Sequence, residues 1–83
     1  MRYVYLLRLA NSQIYVGRTG NLKRRILEHE RGQVASTKQR RPLTLIGYEA
    51  YSVTTDADRR ERFLKTTEGK RLLRQQYRDA LHQ

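Results

Sequence analysis

The 83-residue sequence has no cysteine and no tryptophan, and it has only one proline and one phenylalanine. Without cysteine the chain forms neither a disulfide framework nor a thiolate metal site, which excludes the disulfide-stapled class of small secreted proteins. The apolar run before Arg8 has five residues, which is shorter than the apolar region of a signal peptide. No stretch is long enough to cross a bilayer. We therefore expect a cytoplasmic protein with one domain over residues 1–83.

Acidic residues are also few, because eight Asp and Glu face eighteen Lys and Arg, for a net charge of +10. This balance favours a polyanionic partner. The alternative interpretation is that arginines on solvated helix faces only keep the domain soluble. A membrane surface is less favoured, because no helix pairs a basic face with a face rich in Trp or Phe. Nucleic acid is the expected class of partner. The basic clusters are KRR (23–25), KQRR (38–41), RRER (59–62) and KR (70–71).

Two β-rich runs, residues 2–9 and 13–17, flank Asn11 and Ser12, which are residue types that favour turns. This pattern predicts a β-hairpin. The first run is largely apolar on both of its faces, which is typical of a central strand that is covered on both sides. A third strand is predicted at residues 43–51.

Three helices complete the predicted fold. Asn21 is a suitable N-cap for the first helix, and Gly32 is suited to the C′ position that ends it. Thr55 and Asp58 resemble a capping box at the start of the second helix. The order β-β-α-β-α-α predicts an α+β fold, in which helices flank a small three-stranded, mainly antiparallel sheet. The predicted helices span residues 22–31, 56–65 and 69–81.

Ionisable side chains lie on the apolar sides of the first two helices. At the helical period, His29 falls close to the buried stripe of the first helix, and Arg25 lies on the border of that stripe. In the second helix Glu61 lies beside Ala57 and Leu64. Burying an ion without a partner costs several kcal/mol. Arg25 and Glu61 therefore either pair with each other or line a hydrated pocket.

Tyrosine is the dominant aromatic residue, with six copies in the chain. Tyr5 and Tyr15 lie on adjacent strands of the predicted hairpin, where a phenol can pack its ring on the sheet and keep its hydroxyl at the surface. One interpretation is that they only fill amphipathic strands. A functional interpretation requires them to converge with Arg25, His29 and Glu61.

These residues belong to an ordered set of motifs: YVY at 3–5, YVG at 15–17, NLKRR at 21–25, then His29, and Glu61 on a later helix. The set resembles the GIY-YIG nuclease superfamily, and in particular its small stand-alone members, over essentially the whole chain. The resemblance implies that the first helix contributes an Arg and a His, and that Glu61 is the metal-binding acid. The implied site residues are Tyr5, Tyr15, Arg25, His29 and Glu61.

The resemblance implies an enzyme that cleaves phosphodiester bonds with one divalent cation, Mg²⁺ or Mn²⁺. A single carboxylate together with phosphate oxygens and waters is a ligand set that Mg²⁺ accepts. Arg25 would hold the scissile phosphate through both arms of its guanidinium. The base that deprotonates the attacking water is either Tyr5 or His29.

The sequence departs from the family pattern at two points. Tyr3 stands where the name-giving motif has a glycine, and residues 63–76 contain no asparagine, although many members have one after the second helix. The expected function is a metal-dependent endonuclease acting on DNA; whether the substrate is branched DNA or RNA is left open. Two alternatives remain open: a non-catalytic nucleic-acid-binding module with the same fold, and a nuclease module that acts only when bound to a targeting partner.

Overall fold

The computed structural model describes all residues from Met1 to Gln83. Its strands are β1 (Arg2–Arg8), β2 (Ile14–Thr19) and β3 (Thr44–Tyr51). They form one antiparallel sheet in the order β2-β1-β3. The central position of β1 agrees with its two apolar faces. The pairing register places Tyr5 opposite Gly17 on one neighbouring strand and opposite Tyr48 on the other.

The helices confirm the predicted α+β fold and the order β-β-α-β-α-α. They are α1 (Leu22–Glu30), α2 (Thr54–Leu64), α3 (Thr67–Gln76) and a short α4 (Arg78–Leu81). A 3-10 helix, Lys38–Arg40, adds one turn to the loop between α1 and β3. None of these helices has the length and apolarity that crossing a membrane requires.

The predicted single helix over residues 69–81 is wrong, because the chain leaves helical geometry at Tyr77, with φ −106° and ψ 26°. The Tyr77 ring packs against Gly47 of β3, where an added Cβ would lie 2.6 Å from Tyr77 Cε1. The Tyr77 hydroxyl also donates a hydrogen bond to Glu49 Oε2 at 3.4 Å. These contacts with the sheet override the helical pattern of the sequence and divide the segment into α3 and α4.

Both predicted ends of α1 are confirmed. The Asn21 side chain accepts a hydrogen bond from the Arg24 backbone N–H at 3.1 Å, which satisfies one of the unpaired donors at the start of a helix. Gly32 follows the C-cap residue with φ +74°, the left-handed conformation that glycine adopts without steric cost.

The predicted capping box at the start of α2 is wrong. The N-cap residue is Val53, and no side chain caps the helix. Because helical geometry begins at Thr54, Thr55 is the second residue of the helix and Asp58 the fifth, too far along for a capping box. Asp58 instead forms an ion pair with Arg18 on β2.

The sheet is covered on both faces, and each face has its own core. Helix α1 packs on one face, and α2 and α3 pack on the other. Burying a large apolar side chain contributes about 1.5–3 kcal/mol, so each layer adds substantially to stability. The core on the α1 side contains Tyr5, Leu7 and Leu9, with Leu22 and Ile26 packed against them. The core on the opposite side contains Val4, Leu6, Val16, Ala57, Leu64 and Leu73.

A hydrogen-bonded cluster around Glu49 connects β3 to Arg60 of α2 and to Tyr77, which follows α3. Arg60 donates to Glu49 through Nε at 2.9 Å and Nη2 at 3.2 Å. The Tyr51 hydroxyl donates to the same carboxylate at 2.6 Å. Burial acts to raise the pKa of Glu49, but the hydrogen bonds from Arg60, Tyr51 and Tyr77 outweigh it, so the pKa is lowered.

We predict that Glu49→Gln lowers the free energy of unfolding by roughly 1–3 kcal/mol at pH 7, because hydrogen bonds to a charged acceptor are replaced by weaker ones. A lowered folded-state pKa means that this stabilisation is present above the ordinary value of 4.5 and is lost as the pH falls through the folded-state value. In thermal melts, the difference in melting temperature between Glu49→Gln and wild type should be smaller at pH 3 than at pH 7. The control is Glu68→Gln, whose exposed partner is Arg71; it should melt near wild type. Equal melting of Glu49→Gln and wild type at pH 7 would contradict the prediction.

Candidate active site

Four of the five residues predicted from the sequence meet on the α1 face of the sheet. Tyr5 Oη and His29 Nε2 are hydrogen-bonded at 2.9 Å. The Tyr15 ring packs against both residues, with its centroid 5.2 Å from that of His29 and 6.2 Å from that of Tyr5. Arg25 lies one helical turn before His29, and it lies near enough to Tyr5 that the two groups influence each other's pKa values. The structure therefore brings Tyr5, Tyr15, Arg25 and His29 together.

Local sequence explains this arrangement. Residues four apart on a helix are neighbours, so the start of α1 fixed by Asn21 sets Arg25 and His29 side by side toward the sheet. Gly17 provides the space for the Tyr5 ring, since an added Cβ at Gly17 would overlap Tyr5 Cζ and Oη. The glycine of the second motif thus has a steric role in seating the tyrosine of the first.

Thr37 is a further member of this cluster, and no pattern in the sequence marks it. Its Oγ1 lies 2.8 Å from His29 Nδ1, and it donates a hydrogen bond to the Val34 carbonyl at 3.5 Å. Both His29 and Thr37 have 0% exposure. Thr37 lies in the loop after α1, where helical and strand periodicity give no information about which side chains point inward. The two nitrogens of His29 are therefore both hydrogen-bonded within the protein.

Arg25 and Glu61 are not paired with each other, so the structural ion pair that the sequence left open is not formed. Arg25 Nη1 binds Glu28 Oε1 at 3.0 Å, and the Arg25 side chain keeps 36% exposure. Glu61 binds Lys65 Nζ at 2.9 Å and lies 3.8 Å from Arg18 Nε. Arg25 is therefore open to a ligand at the surface.

Glu61 is the one predicted residue that lies apart from the others. It belongs to α2, which packs on the opposite face of the sheet, and it reaches the edge strand β2 through Arg18. Arg18 also pairs with Asp58, so two carboxylates one turn apart on α2 share one guanidinium. No hydrogen bond or ion pair connects Glu61 to Tyr5 or to Arg25. The predicted convergence is thus observed for four residues and not for Glu61.

Glu61 fits a divalent cation only when other ligands come from outside the protein. The chain contains no group of three or more His, Cys, Asp or Glu side chains placed to hold a metal. One carboxylate with phosphate oxygens and waters is still a sufficient set for Mg²⁺. The Glu61 side chain is 12% exposed and has two cationic neighbours, Lys65 Nζ at 2.9 Å and Arg18 Nε at 3.8 Å. A cation that arrives with a phosphate would therefore have to displace Lys65 and compete with Arg18 for this carboxylate.

The buried pair of Tyr5 and His29 is uncharged at neutral pH. Burial raises the pKa of Tyr5 to about 12, against the opposing influence of Arg25. Burial also lowers the pKa of His29, and the positive charge of Arg25 lowers it further. A neutral imidazole beside a neutral phenol can accept a proton from it.

A basic cleft of about 280 Å³ adjoins the cluster at Tyr15. Its floor is apolar, and its rim carries three cationic side chains from the loop after α1 and from α3. A groove of this composition suits a nucleic-acid strand, since cations contact phosphates while apolar and aromatic groups contact bases. The rim residues are Arg40, Lys70 and Arg74, and the floor includes Leu9, Ile14 and Leu73.

Comparison with known proteins gives consistent matches. Residues 1–77 match the family described as the GIY-YIG catalytic domain. The UPF0213 protein SH2523 of Staphylococcus haemolyticus is 40% identical over 65 residues, which cover 77% of this chain and 79% of that protein. The UPF0213 protein CPE1444 of Clostridium perfringens is 36% identical over 66 residues, covering 78% and 71%. The solution NMR structure of the UPF0213 protein BH0048 from Bacillus halodurans aligns with a TM-score of 0.57 at 31% identity, over 88% of this chain and 82% of that one.

We predict that His29 titrates below the ordinary histidine value of 6.5, because burial and Arg25 disfavour its charged form. The unfolded chain then binds more protons than the folded one below that pH, so stability is lost as the pH falls from 6.5 through the folded-state pKa. NMR titration of the imidazole ring, assigned with His29→Gln, measures the pKa. Between pH 7.5 and pH 5.5 the melting temperature of the wild type should fall more than that of His29→Gln. Titration at or above the ordinary value would contradict the prediction.

Proposed function

Because this chain belongs to the GIY-YIG family, we propose that it is a metal-dependent endonuclease that hydrolyses phosphodiester bonds in DNA. The observation that carries the proposal is the hydrogen-bonded pair of Tyr5 and His29 beside the partly exposed Arg25. A protein that only binds nucleic acid needs surface cations that contact phosphates. Such a protein does not use a phenol hydrogen-bonded to an imidazole behind an arginine. An enzyme that transfers a proton next to a phosphate does use such a pair.

Arg25 and Tyr15 are the members of the cluster that a phosphate reaches first, because both are partly exposed. Arg25 would exchange Glu28 for the scissile phosphate and bind two of its oxygens. A planar guanidinium matches that geometry, and its charge stabilises the negative charge added in the transition state. Movement of Arg25 toward the phosphate would also uncover the Tyr5 hydroxyl, which has little access to solvent in the free protein.

The proton of the attacking water would pass through Tyr5 to His29. With its pKa raised to about 12, Tyr5 is protonated at neutral pH and cannot act as a base alone. Its hydroxyl can accept the water proton only while it gives its own proton to His29 Nε2, which is 2.9 Å away. In this scheme Tyr5 and His29 are not alternative bases, because Tyr5 transfers the proton and His29 retains it.

Glu61 lies on the opposite face of the sheet from Tyr5, so it would hold the divalent cation, Mg²⁺ or Mn²⁺, at the edge strand β2, which carries both Tyr15 and Arg18. Phosphate oxygens and waters would complete the ligand set. When bound, the cation stabilises the charge that grows on the leaving oxygen. The basic cleft would position the DNA strand beside Tyr15. Its three cationic side chains are suited to the phosphates that flank the cleavage site.

One observation favours a second candidate function, a nuclease module that acts only with a targeting partner. Tyr5 is 1% exposed and His29 is 0% exposed, so the proton-transfer pair is closed to water in the free protein. If the DNA substrate alone moves Arg25 and opens the site, no partner is needed. If it does not, a partner that displaces Arg25 is required for cleavage.

We predict that Glu61→Gln abolishes cleavage, with a loss of roughly 100-fold or more, because the neutral amide binds a cation weakly. The assay is incubation with plasmid, branched and single-stranded DNA, with Mg²⁺, with Mn²⁺ and with a chelator. The matched control, Glu68→Gln, removes an exposed carboxylate of α3 and should cleave at the wild-type rate. Cleavage by Glu61→Gln at that rate would disprove the metal role. A wild type that binds DNA but cuts none of these substrates would favour the partner-dependent or non-catalytic module.

We also predict that Arg25→Lys reduces cleavage by roughly 100-fold, whereas DNA affinity stays within a few-fold. Lysine keeps the charge but loses the planar fork that contacts two phosphate oxygens. The adjacent substitution Arg24→Lys is the control, since the Arg24 side chain is 70% exposed and lies outside the cluster. Rates from single-turnover cleavage and affinities from fluorescence anisotropy separate the two effects. Equal rates for Arg25→Lys and Arg24→Lys would remove Arg25 from the proposed site.

A further inference from the structure

Thr37 contacts the ring nitrogen of His29 that faces away from Tyr5. Its Oγ1 is 2.8 Å from Nδ1, while Nε2 on the opposite side of the ring is 2.9 Å from the Tyr5 hydroxyl. The loop that carries Thr37 is fixed at its far end, where the Ala10 N–H donates to the Arg40 carbonyl at 2.9 Å. Tyr5, His29 and Thr37 therefore form one continuous chain of hydrogen bonds in the interior.

The direction of this chain depends on where the single proton of the Thr37 hydroxyl points. A threonine hydroxyl has one proton, and the acceptors within its reach are His29 Nδ1 at 2.8 Å and the Val34 carbonyl at the longer distance of 3.5 Å. When this proton points to Val34, Thr37 receives the hydrogen bond from His29, and the imidazole proton is on Nδ1. In that tautomer Nε2 has a free lone pair, and the Tyr5 hydroxyl donates to it at 2.9 Å.

We propose that Thr37 is a positioning residue that holds His29 in the tautomer protonated at Nδ1, so that Nε2 is free to accept a proton from Tyr5. This inference rests on the proposed function and specifies how its proton-transfer step is prepared. A histidine is oriented by the hydrogen bond that its second nitrogen makes. Here a neutral hydroxyl has that role, in the position where other enzymes use a carboxylate.

Proton transfer from water through Tyr5 to His29 requires that Thr37 keep this orientation. The oxygen of water forms a bond to phosphorus as its proton passes to the Tyr5 oxygen, and the original Tyr5 proton passes to Nε2. The bond between phosphorus and the leaving oxygen breaks, and its electron pair stays on that oxygen. The resulting imidazolium keeps its proton on Nδ1, which donates a hydrogen bond to Thr37 Oγ1. In the other tautomer Nε2 already carries a proton and has no lone pair to accept one.

The test compares Thr37→Val, which keeps the shape and removes the hydroxyl, with Thr37→Ser, which keeps the hydroxyl. Nitrogen-15 NMR of the His29 ring reports which nitrogen is protonated, independently of any cleavage. Wild type and Thr37→Ser should show protonated Nδ1, whereas Thr37→Val should shift toward protonated Nε2. In cleavage assays kcat should fall about 100-fold for Thr37→Val with KM nearly unchanged, and Thr37→Ser should stay within a few-fold of wild type.

Two outcomes would overturn the inference: a wild-type ring protonated at Nε2, or a Thr37→Val variant with the wild-type tautomer and kcat. If Thr37→Val does not fold, Thr37→Ala removes the hydroxyl without placing a methyl group against the ring. If the wild type cuts no DNA, the proposed function fails. The NMR spectra still determine in that case whether Thr37 sets the tautomer of His29.

Discussion

Strand β1 is covered on both faces, and the other features of the molecule depend on that burial. Residues of one parity, such as Val4, enter the core beneath α2 and α3, and residues of the other parity, such as Tyr5, enter the core beneath α1. A buried phenol needs a hydrogen-bond partner, which is His29. A buried imidazole has two nitrogens to satisfy, and the second one requires Thr37. The polar cluster therefore follows from placing one tyrosine on a fully covered strand.

The parts of the fold that local signals encode were predictable from the sequence. The hairpin, the central strand and both ends of α1 follow from turn residues, alternation and capping, because each depends on neighbours along the chain. The break at Tyr77 was not predictable, since it results from contacts with Gly47 and Glu49 on a strand that is distant in sequence. The start of α2 was misplaced because Thr55 and Asp58 matched a capping pattern although helical geometry begins earlier.

The candidate site was predictable to the extent that helical and strand periods define faces. Those periods place Tyr5, Tyr15 and His29 on one side of the sheet, and the family motifs select them from other polar residues. Thr37 could not be found this way, because a loop residue has no period from which its direction can be inferred. The helical period also places Glu61 on the inner face of α2. It does not indicate that the sheet lies between this helix and Tyr5.

The ion pair between Arg25 and Glu28 has a consequence for selectivity among anions. Glu28 is one turn away on the same helix and pairs with the guanidinium at 3.0 Å, so it competes as a tethered ligand at an effective concentration on the order of millimolar or above. A small free anion must displace this internal competitor with a single contact. A polymer attached to the basic cleft through many other phosphates presents its own tethered phosphate to Arg25. An exposed pair on a helix contributes less than about 1 kcal/mol, so under the proposed function Glu28 would give polymeric phosphates a small advantage over monomeric ones, with no contact to a base.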